Sequence, residues 1–376
     1  MLAAWNGGRP GGRHMARHGR RARDLGIVTD GGEPGPYGAI TDVPGVAVGH
    51  TTLRRPPDVH TGVTAIVPAG VGPLPAGTPL PAGLFAANGY GKLVGATQLV
   101  ELGQLESPIV LTSTLSAFRA ADAMVSRMLS RPEFADVLSY NPVVGECNDG
   151  YLSDVRARPV REEDVLAAIE GASTGPVAEG CVGAGTGTCA LGFKAGIGTA
   201  SRRVVPDEAG PCTVGVLTQA NFGGTLRIGG VAVTPDPPDA AAGTEAAAGA
   251  DGTGPGEDGS CVVVVATDAP LDARQLGRLA RRAVFALGRV GASYGHGSGD
   301  YGIAFSTSPA RDGRPAVVPD HRLDPLFGAV LAASEEAVLN ALCAAVTTTG
   351  RLGRTVPAVS HDRLREAAAR TAPSGR

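Results

Sequence analysis

The pair Gly259-Ser260 lies where a stretch with almost nothing to bury, "GPGEDG", gives way to a run that must be buried, "SCVVVVATD". A serine hydroxyl in that position can attack the preceding carbonyl to form an ester. Water opens the ester and leaves a free amine on the serine. Glycine at 259 helps, because it tolerates the twisted backbone that such an attack requires. The freed α-amine, with an intrinsic pKa of about 8, can act as the base for its own hydroxyl, so one residue supplies both nucleophile and base. The residues also allow a plainer reading, in which Ser260 only caps a strand after a linker.

Three other clusters could complete such a site. In "GASYGHGSGDYGIAFST", Ser298 can hydrogen-bond the nucleophile or its amine, and Asp300 can orient the network and favour an ammonium beside it. A Gly-rich turn with a Ser or Asx cap accounts for the same residues. In "LTQANFGG", Asn221 stands between an apolar strand and two glycines, where its amide can donate to a tetrahedral oxyanion or serve the turn. In "NPVVGECNDGYLSD", Glu146, Asp149, Tyr151 and Asp154 crowd one loop. A carboxylate there, with Glu146 as the candidate, can hold a substrate ammonium, and the Tyr151 hydroxyl can donate to the same oxyanion. The alternative is a solvated acidic turn.

No cofactor and no metal is expected. Gly185, Gly187 and Ala190 fit G-x-G-x-x-A, but no strong strand precedes them and the residues after them are too glycine-rich for a helix. "NGYGKL" has Ala86 and Leu93 where a P-loop needs Gly and Ser/Thr. His14 and His18 are four apart, but in a segment read as disordered, and H-E-x-x-H does not occur. Lys92 and Lys194 sit near Gly-rich turns and receive no role. The six cysteines form no C-x-x-C pair and read as buried thiols.

These groups need a framework of strands and tight turns. Glycine is 56 of 376 residues, about twice the usual share of roughly 7%. A net charge of -3 argues against a nucleic-acid footprint. No apolar run reaches the roughly 20 residues of a membrane span, and the Arg-rich N-terminus lacks an apolar core for secretion, so the expected location is cytoplasmic. From residue 38 short β-branched runs alternate with helical spacing at 92–105, 113–130 and "REEDVLAAIEGA", which predicts a layered α/β domain. Residues 1–37 read as a disordered basic leader, with Met15 as an alternative start, and 360–376 as a polar tail. Residues 234–259 carry six acids and no Lys or Arg, which reads as a linker. After it come a buried strand, a helix with Leu276, Leu279, Ala280, Ala283 and Leu287 on one face ending at Gly291, a strand "YGIAFSTS", and an apolar helix from 324.

Taken in order, "GECNDGYLSD", "GAGTGTCALGFKAGIGTASR", "TQANFG", "GSCVVVVATDAPL" and "GSGDYGIAFST" resemble the DmpA-type L-aminopeptidase/D-amidase-esterase family, which includes the β-aminopeptidases. The resemblance runs from about residue 38 to 359. It implies an αββα sandwich of the kind shared with ornithine acetyltransferases, and self-cleavage after Gly259 into two chains, 38–259 and 260–359, that stay together. It implies Ser260 as nucleophile, Asn221 and Tyr151 at the oxyanion, Ser298 and Asp300 tuning the Ser260 amine, and Glu146 as ammonium anchor. The substrates implied are small peptides, amides or esters with a free amine, and the assembly a homo-oligomer, a tetramer of cleaved heterodimers. Two departures bear on cleavage rate and substrate preference: the linker is longer and more acidic than the family pattern, and His296 replaces an expected asparagine. An acyltransferase on the same architecture and a non-catalytic small-ligand binder are the alternatives.

Overall fold

The computed structural model describes residues 20–28, 31–206, 210–236, 259–308 and 317–371. Its strands, in chain order, are β1 (Val46–Arg55), β2 (Val59–Pro68), β3 (Leu80–Gly89), β4 (Gln104–Leu105), β5 (Ile109–Ser113), β6 (Val143–Cys147), β7 (Cys189–Ala190), β8 (Phe193–Lys194), β9 (Ile197–Val204), β10 (Cys212–Asn221), β11 (Leu226–Ile228), β12 (Val231–Val233), β13 (Ser260–Thr267), β14 (Gly299–Ser306), β15 (Thr348–Thr349) and β16 (Thr355–Val356). The α-helices are α1 (Ala96–Glu101), α2 (Ala117–Leu129), α3 (Glu162–Glu170), α4 (Ala273–Arg289), α5 (Asp324–Cys343) and α6 (His361–Ala369).

Two sheets form the centre, one four-stranded in the order β1-β2-β5-β6 and one six-stranded in the order β4-β3-β14-β13-β10-β9. They face each other across an apolar layer that includes Ile66, Leu111 and Val143 from one sheet and Val262, Val264, Ile303 and Phe305 from the other. Helices α2 and α3 cover the outer face of the four-stranded sheet. Helices α4 and α5 cover the six-stranded sheet. The result is a four-layer αββα sandwich, the arrangement that the family resemblance implies.

β13 shows why the valine run belongs here. All eight of its residues are buried, and side chains alternate faces along a strand. Val262, Val264 and Ala266 therefore enter the layer between sheets, while Cys261, Val263 and Val265 pack under the helices. A strand covered on both faces has no use for polar alternation. β13 runs parallel to β14, a pairing that requires a crossover, and α4 supplies it. The helix starts on a capping box: Gln275 N–H donates to Asp272 (2.7 Å) and Asp272 N–H to the Gln275 side chain (3.2 Å). Its five predicted core residues are all buried. It stops before Gly291, which has φ +101 and where a Cβ would lie 1.8 Å from the Thr225 carbonyl.

Several expectations need correction. Composition predicts a leader disordered through residue 37, yet from residue 20 onward its described part is docked: Ala22 and Leu25 are buried. Arg21 pairs with Glu179 (2.9 Å) and Arg23 with Glu336 (3.0 Å), so two of the charges that suggest disorder are what tie the segment down. Residues 92–105 yield only the short α1 and then β4, because Gly95 starts the helix at φ +83 and Gly103 (φ +64) follows its end. The polar tail contains α6, whose Leu364 and Ala367 are buried. Helix α5 is long and apolar enough to cross a membrane by length and composition, and 78% of its apolar window is buried within the fold. Most of the expected linker, residues 237–258, lies outside the described residues, as do His14 and His18. Asp236, at its start, pairs with Arg363 of α6 (2.9 Å).

Candidate active site

The start of β13 lies between two neighbours: Ser260 is in register with Gly299 of β14 on one side and with Asn221, the last residue of β10, on the other. The opposite sheet arrives at the same place through β6. Gly145 leaves room for Val262, since a Cβ there would sit 3.1 Å from Val262 Cγ2. Two residues on, the Cys147 thiol donates to the Ser260 carbonyl (2.9 Å). The missing side chain at 145 thus lets the sheets close tightly enough to put β6 against the first residue of β13.

Ser260 lines a cavity of about 500 Å3 at the mouth between the sheets, together with Glu146, Asn148, Lys92, Thr114 and the rim residues Tyr90, His296 and Gly297. Glu146 is 2% exposed. Its Oε1 accepts from the Lys92 backbone N–H (2.9 Å) and lies 3.4 Å from the Lys92 ammonium, while Oε2 is buried with no hydrogen-bond partner. Lys92 Nζ also donates to Thr114 Oγ1 (2.9 Å).

Asn221 ties two loops to the strand end. Its Oδ1 accepts from the Cys189 N–H (3.0 Å) and its Nδ2 donates to the Asn148 carbonyl (3.1 Å), which leaves one N–H of the amide uncommitted. Ser298 Oγ donates to Asp300 Oδ1 (2.8 Å), and both residues are buried. By strand alternation this pair is on the face of Cys261, under the helices, and not on the face that Ser260 presents to the cavity. It therefore adjoins the backbone of the first residues of β13 and not the cavity itself. Burial pushes the Asp300 carboxyl up to about 6, offset in part by Ser298, the Cys261 N–H and the Asn88 amide; neither of the last two forms a hydrogen bond to Oδ2. The loop carrying Ser298 is held by Asn88 Nδ2, which donates to the Gly295 carbonyl (2.6 Å).

Of the predicted residues only Ser260 and Glu146 line the cavity; Asn221, Ser298, Asp300 and Tyr151 stand behind it. Tyr151 packs with Leu152, Cys189 and Val356, and its ring lies beneath the Arg354 guanidinium (4.9 Å). It stands behind Asn221, through Cys189. Asp149, two residues past the end of the β6 strand that carries Glu146, is buried, accepts from Ser113 (2.8 Å), and is pushed up to about 6 chiefly by burial. Burial raises the thiols of Cys147 and Cys261 as well, which removes them as nucleophiles near neutral pH. All six cysteines are buried.

Lys92, Thr114, Asn148 and Tyr90 form the rest of the cavity and carry no local sequence signal. Lys92 and Glu146 are 54 residues apart, and the bridge between Val94 and Val144 brings their segments together. Lys194, the other unassigned lysine, has its ammonium buried on the carbonyls of Thr188 (2.8 Å), Ala195 (2.8 Å) and Gly185 (3.3 Å). It ties together the Gly-rich loop that mimics a dinucleotide motif, and that loop runs into β7, not a helix. Among the described residues no group of three His, Cys, Asp or Glu could hold a metal ion.

Peptidase family S58 matches residues 38–356. The beta-peptidyl aminopeptidase BapA of Sphingosinicella microcystinivorans is 42% identical over 373 residues, covering 92% of this chain and 91% of that protein. The Burkholderia sp. beta-aminopeptidase superposes with a TM-score of 0.79 at 37% identity, over 95% of this chain and 100% of that one. The L-aminopeptidase D-Ala-esterase/amidase of Ochrobactrum anthropi, described as a prototype of the serine aminopeptidases and a variant of the Ntn hydrolase fold, superposes with a TM-score of 0.78 at 38% identity, over 93% and 98%. Matched over most of its length in sequence and in fold, the chain belongs to peptidase family S58.

Proposed function

We propose that the chain is a self-processing serine aminopeptidase and amidase-esterase with Ser260 as its nucleophile. The observation that carries this is the position of Ser260: first residue of a fully buried strand, beside Asn221, at the mouth of a cavity that holds the unpartnered Glu146 Oε2. Ser260 Oγ attacks the Gly259 carbonyl, the C–N bond breaks with the proton passing to nitrogen, and water hydrolyses the ester. Gly259 then ends one chain as a carboxylate, and Ser260 begins the other as an amine. In turnover that amine takes the hydroxyl proton as Oγ attacks the substrate carbonyl, and returns it to the leaving group.

The remaining roles rest on placement. The uncommitted N–H of Asn221 donates to the oxyanion, with the Tyr151 hydroxyl behind it. Ser298 and Asp300, on the far face of the strand, hold the new amine and bias its protonation. Glu146 receives the substrate ammonium on Oε2. Relatives named for beta-peptidyl and L-amino acid substrates support short peptides, amides and esters with a free amine as the substrate class. The working form in this reading is a cytoplasmic homo-oligomer of cleaved heterodimers, which light scattering after processing checks.

The deciding experiment is intact mass of the denatured protein with N-terminal sequencing of the small fragment. A fragment beginning Ser-Cys-Val-Val supports the reading, and release of p-nitroaniline from amino acid p-nitroanilides completes it. A chain that stays whole after long incubation and hydrolyses no amide overturns it.

A further inference from the structure

Glu146 is the one carboxylate lining the cavity among the described residues, and Lys92 the one lysine or arginine. Their pairing is lopsided. Glu146 Oε1 is already satisfied by the Lys92 backbone N–H at 2.9 Å, so the ammonium at 3.4 Å adds little to it. The ammonium makes its shorter bond to Thr114 Oγ1, its side chain stays 37% exposed, and an ammonium has three donors. Oε2 of Glu146 has no partner although the residue is 2% exposed. The cavity thus offers an empty anionic acceptor and, a few ångströms away, a cationic donor with capacity to spare.

The charge balance sets what can fill it. As built, the two groups cancel. A substrate bringing only an ammonium places a second cation beside Lys92, with one carboxylate to serve both. A substrate bringing a carboxylate on the carbon that bears the amine restores neutrality with alternating charges.

We infer that this cavity reads a zwitterionic head, ammonium on Glu146 Oε2 and carboxylate on Lys92 Nζ, and that its acyl donors are β-aspartyl amides. The inference rests on the proposed use of Ser260 and Glu146. In a β-aspartyl amide the scissile carbonyl is the side-chain carbonyl, one methylene from the carbon that carries both charged groups. The amine is then spaced from the carbonyl as in a β-peptide, the linkage for which two relatives are named. Hydrolysis adds water across the amide C–N bond and yields aspartate and the free amine.

The test compares β-aspartyl p-nitroanilide with 3-aminobutanoyl p-nitroanilide, which has the same skeleton with methyl in place of carboxylate. A charge-assisted hydrogen bond at Lys92 gives the processed wild type a kcat/KM about tenfold or more higher on the aspartyl amide. In Lys92→Met that ratio falls to about 1, and in Lys92→Arg it stays above 1. Equal rates in the wild type, or a Lys92→Met protein that keeps the preference, overturn the inference. A thermal-shift series with free L-aspartate and 3-aminobutanoate reads the same preference without turnover. If neither amide is hydrolysed, a larger shift with aspartate that Lys92→Met abolishes keeps the recognition inference and rejects the hydrolase reading. Equal shifts, or none, reject the inference.

Discussion

The six-stranded and four-stranded sheets share one apolar interface, but they bring different groups to its open end. From the six-stranded sheet come Ser260 and Asn221, with the Ser298–Asp300 pair behind them on the far face of that sheet, all within one residue of a strand end and fixed by main-chain register. From the four-stranded sheet come Glu146 at the end of β6 and Asn148 just beyond it, with Lys92 on the segment that crosses from β3 to β6. The first set is held rigidly and suited to bond-making. The second contains the carboxylate oxygen with no partner and the lysine with capacity to spare, and is suited to reading a substrate. In the proposed reading chemistry and recognition sit on opposite layers, and variants on each should fail in different ways.

The largest effect is expected at Ser260. Ser260→Ala should stay uncut and lose about a thousandfold or more in amide hydrolysis, with mass spectrometry and p-nitroaniline release as the readouts. A variant that still cleaves itself would remove the six-stranded sheet from the chemistry. Next is Asp300→Asn, which should slow both self-cleavage and turnover by about a hundredfold. Because the Asp300 carboxyl is pushed up to about 6, it carries its charge above that pH and loses it below. The rate of self-cleavage in the wild type should therefore fall as pH drops through about 6, and Asp300→Asn should flatten that limb. Glu146→Gln belongs to the other layer and should leave self-cleavage intact while raising KM more than it lowers kcat, about tenfold to a hundredfold in kcat/KM. If Glu146→Gln also stops self-cleavage, the division between layers is wrong.

The two layers also differ in how far the sequence reveals them. β13 and α4 can be placed because a valine run after a linker and a clean helical stripe each admit one buried arrangement. Ser260, Asn221, Ser298 and Asp300 stand beside such runs or their glycines. The recognition side is harder to read, because Lys92 meets Glu146 only after two distant segments are joined by the bridge at Val94 and Val144. Tyr151, expected at the oxyanion, packs under Arg354 and against Cys189, whose N–H donates to Asn221, and no local pattern shows that placement. The docked N-terminal segment escapes a sequence reading for a related reason. Arg21 and Arg23 look solvated until the buried Glu179 and Glu336 that receive them are known.

The smallest effect concerns stability, and it tests whether the recognition layer carries a cost of its own. Asp149 is buried just past β6, and its carboxyl is pushed up to about 6 from 3.8. A raised folded-state value means that, as pH rises from about 4 to about 6, the unfolded chain releases this proton before the folded one does. The stability contributed by Asp149 therefore declines across that window, and there is no further loss from this group above it. His50, lowered to about 4 from 6.5, slopes the other way over much of the same range, while Asp300 and Glu179, both raised, slope the same way, so the wild type alone does not isolate Asp149. In Asp149→Asn the His50 slope remains and the Asp149 slope is gone. The difference in Tm between variant and wild type should thus move in favour of the variant between pH 4 and pH 6, by an amount corresponding to at most about 3 kcal/mol. A difference that does not change with pH would mean that Asp149 is charged throughout, and that the layer facing Ser260 holds its acids at no cost to the fold.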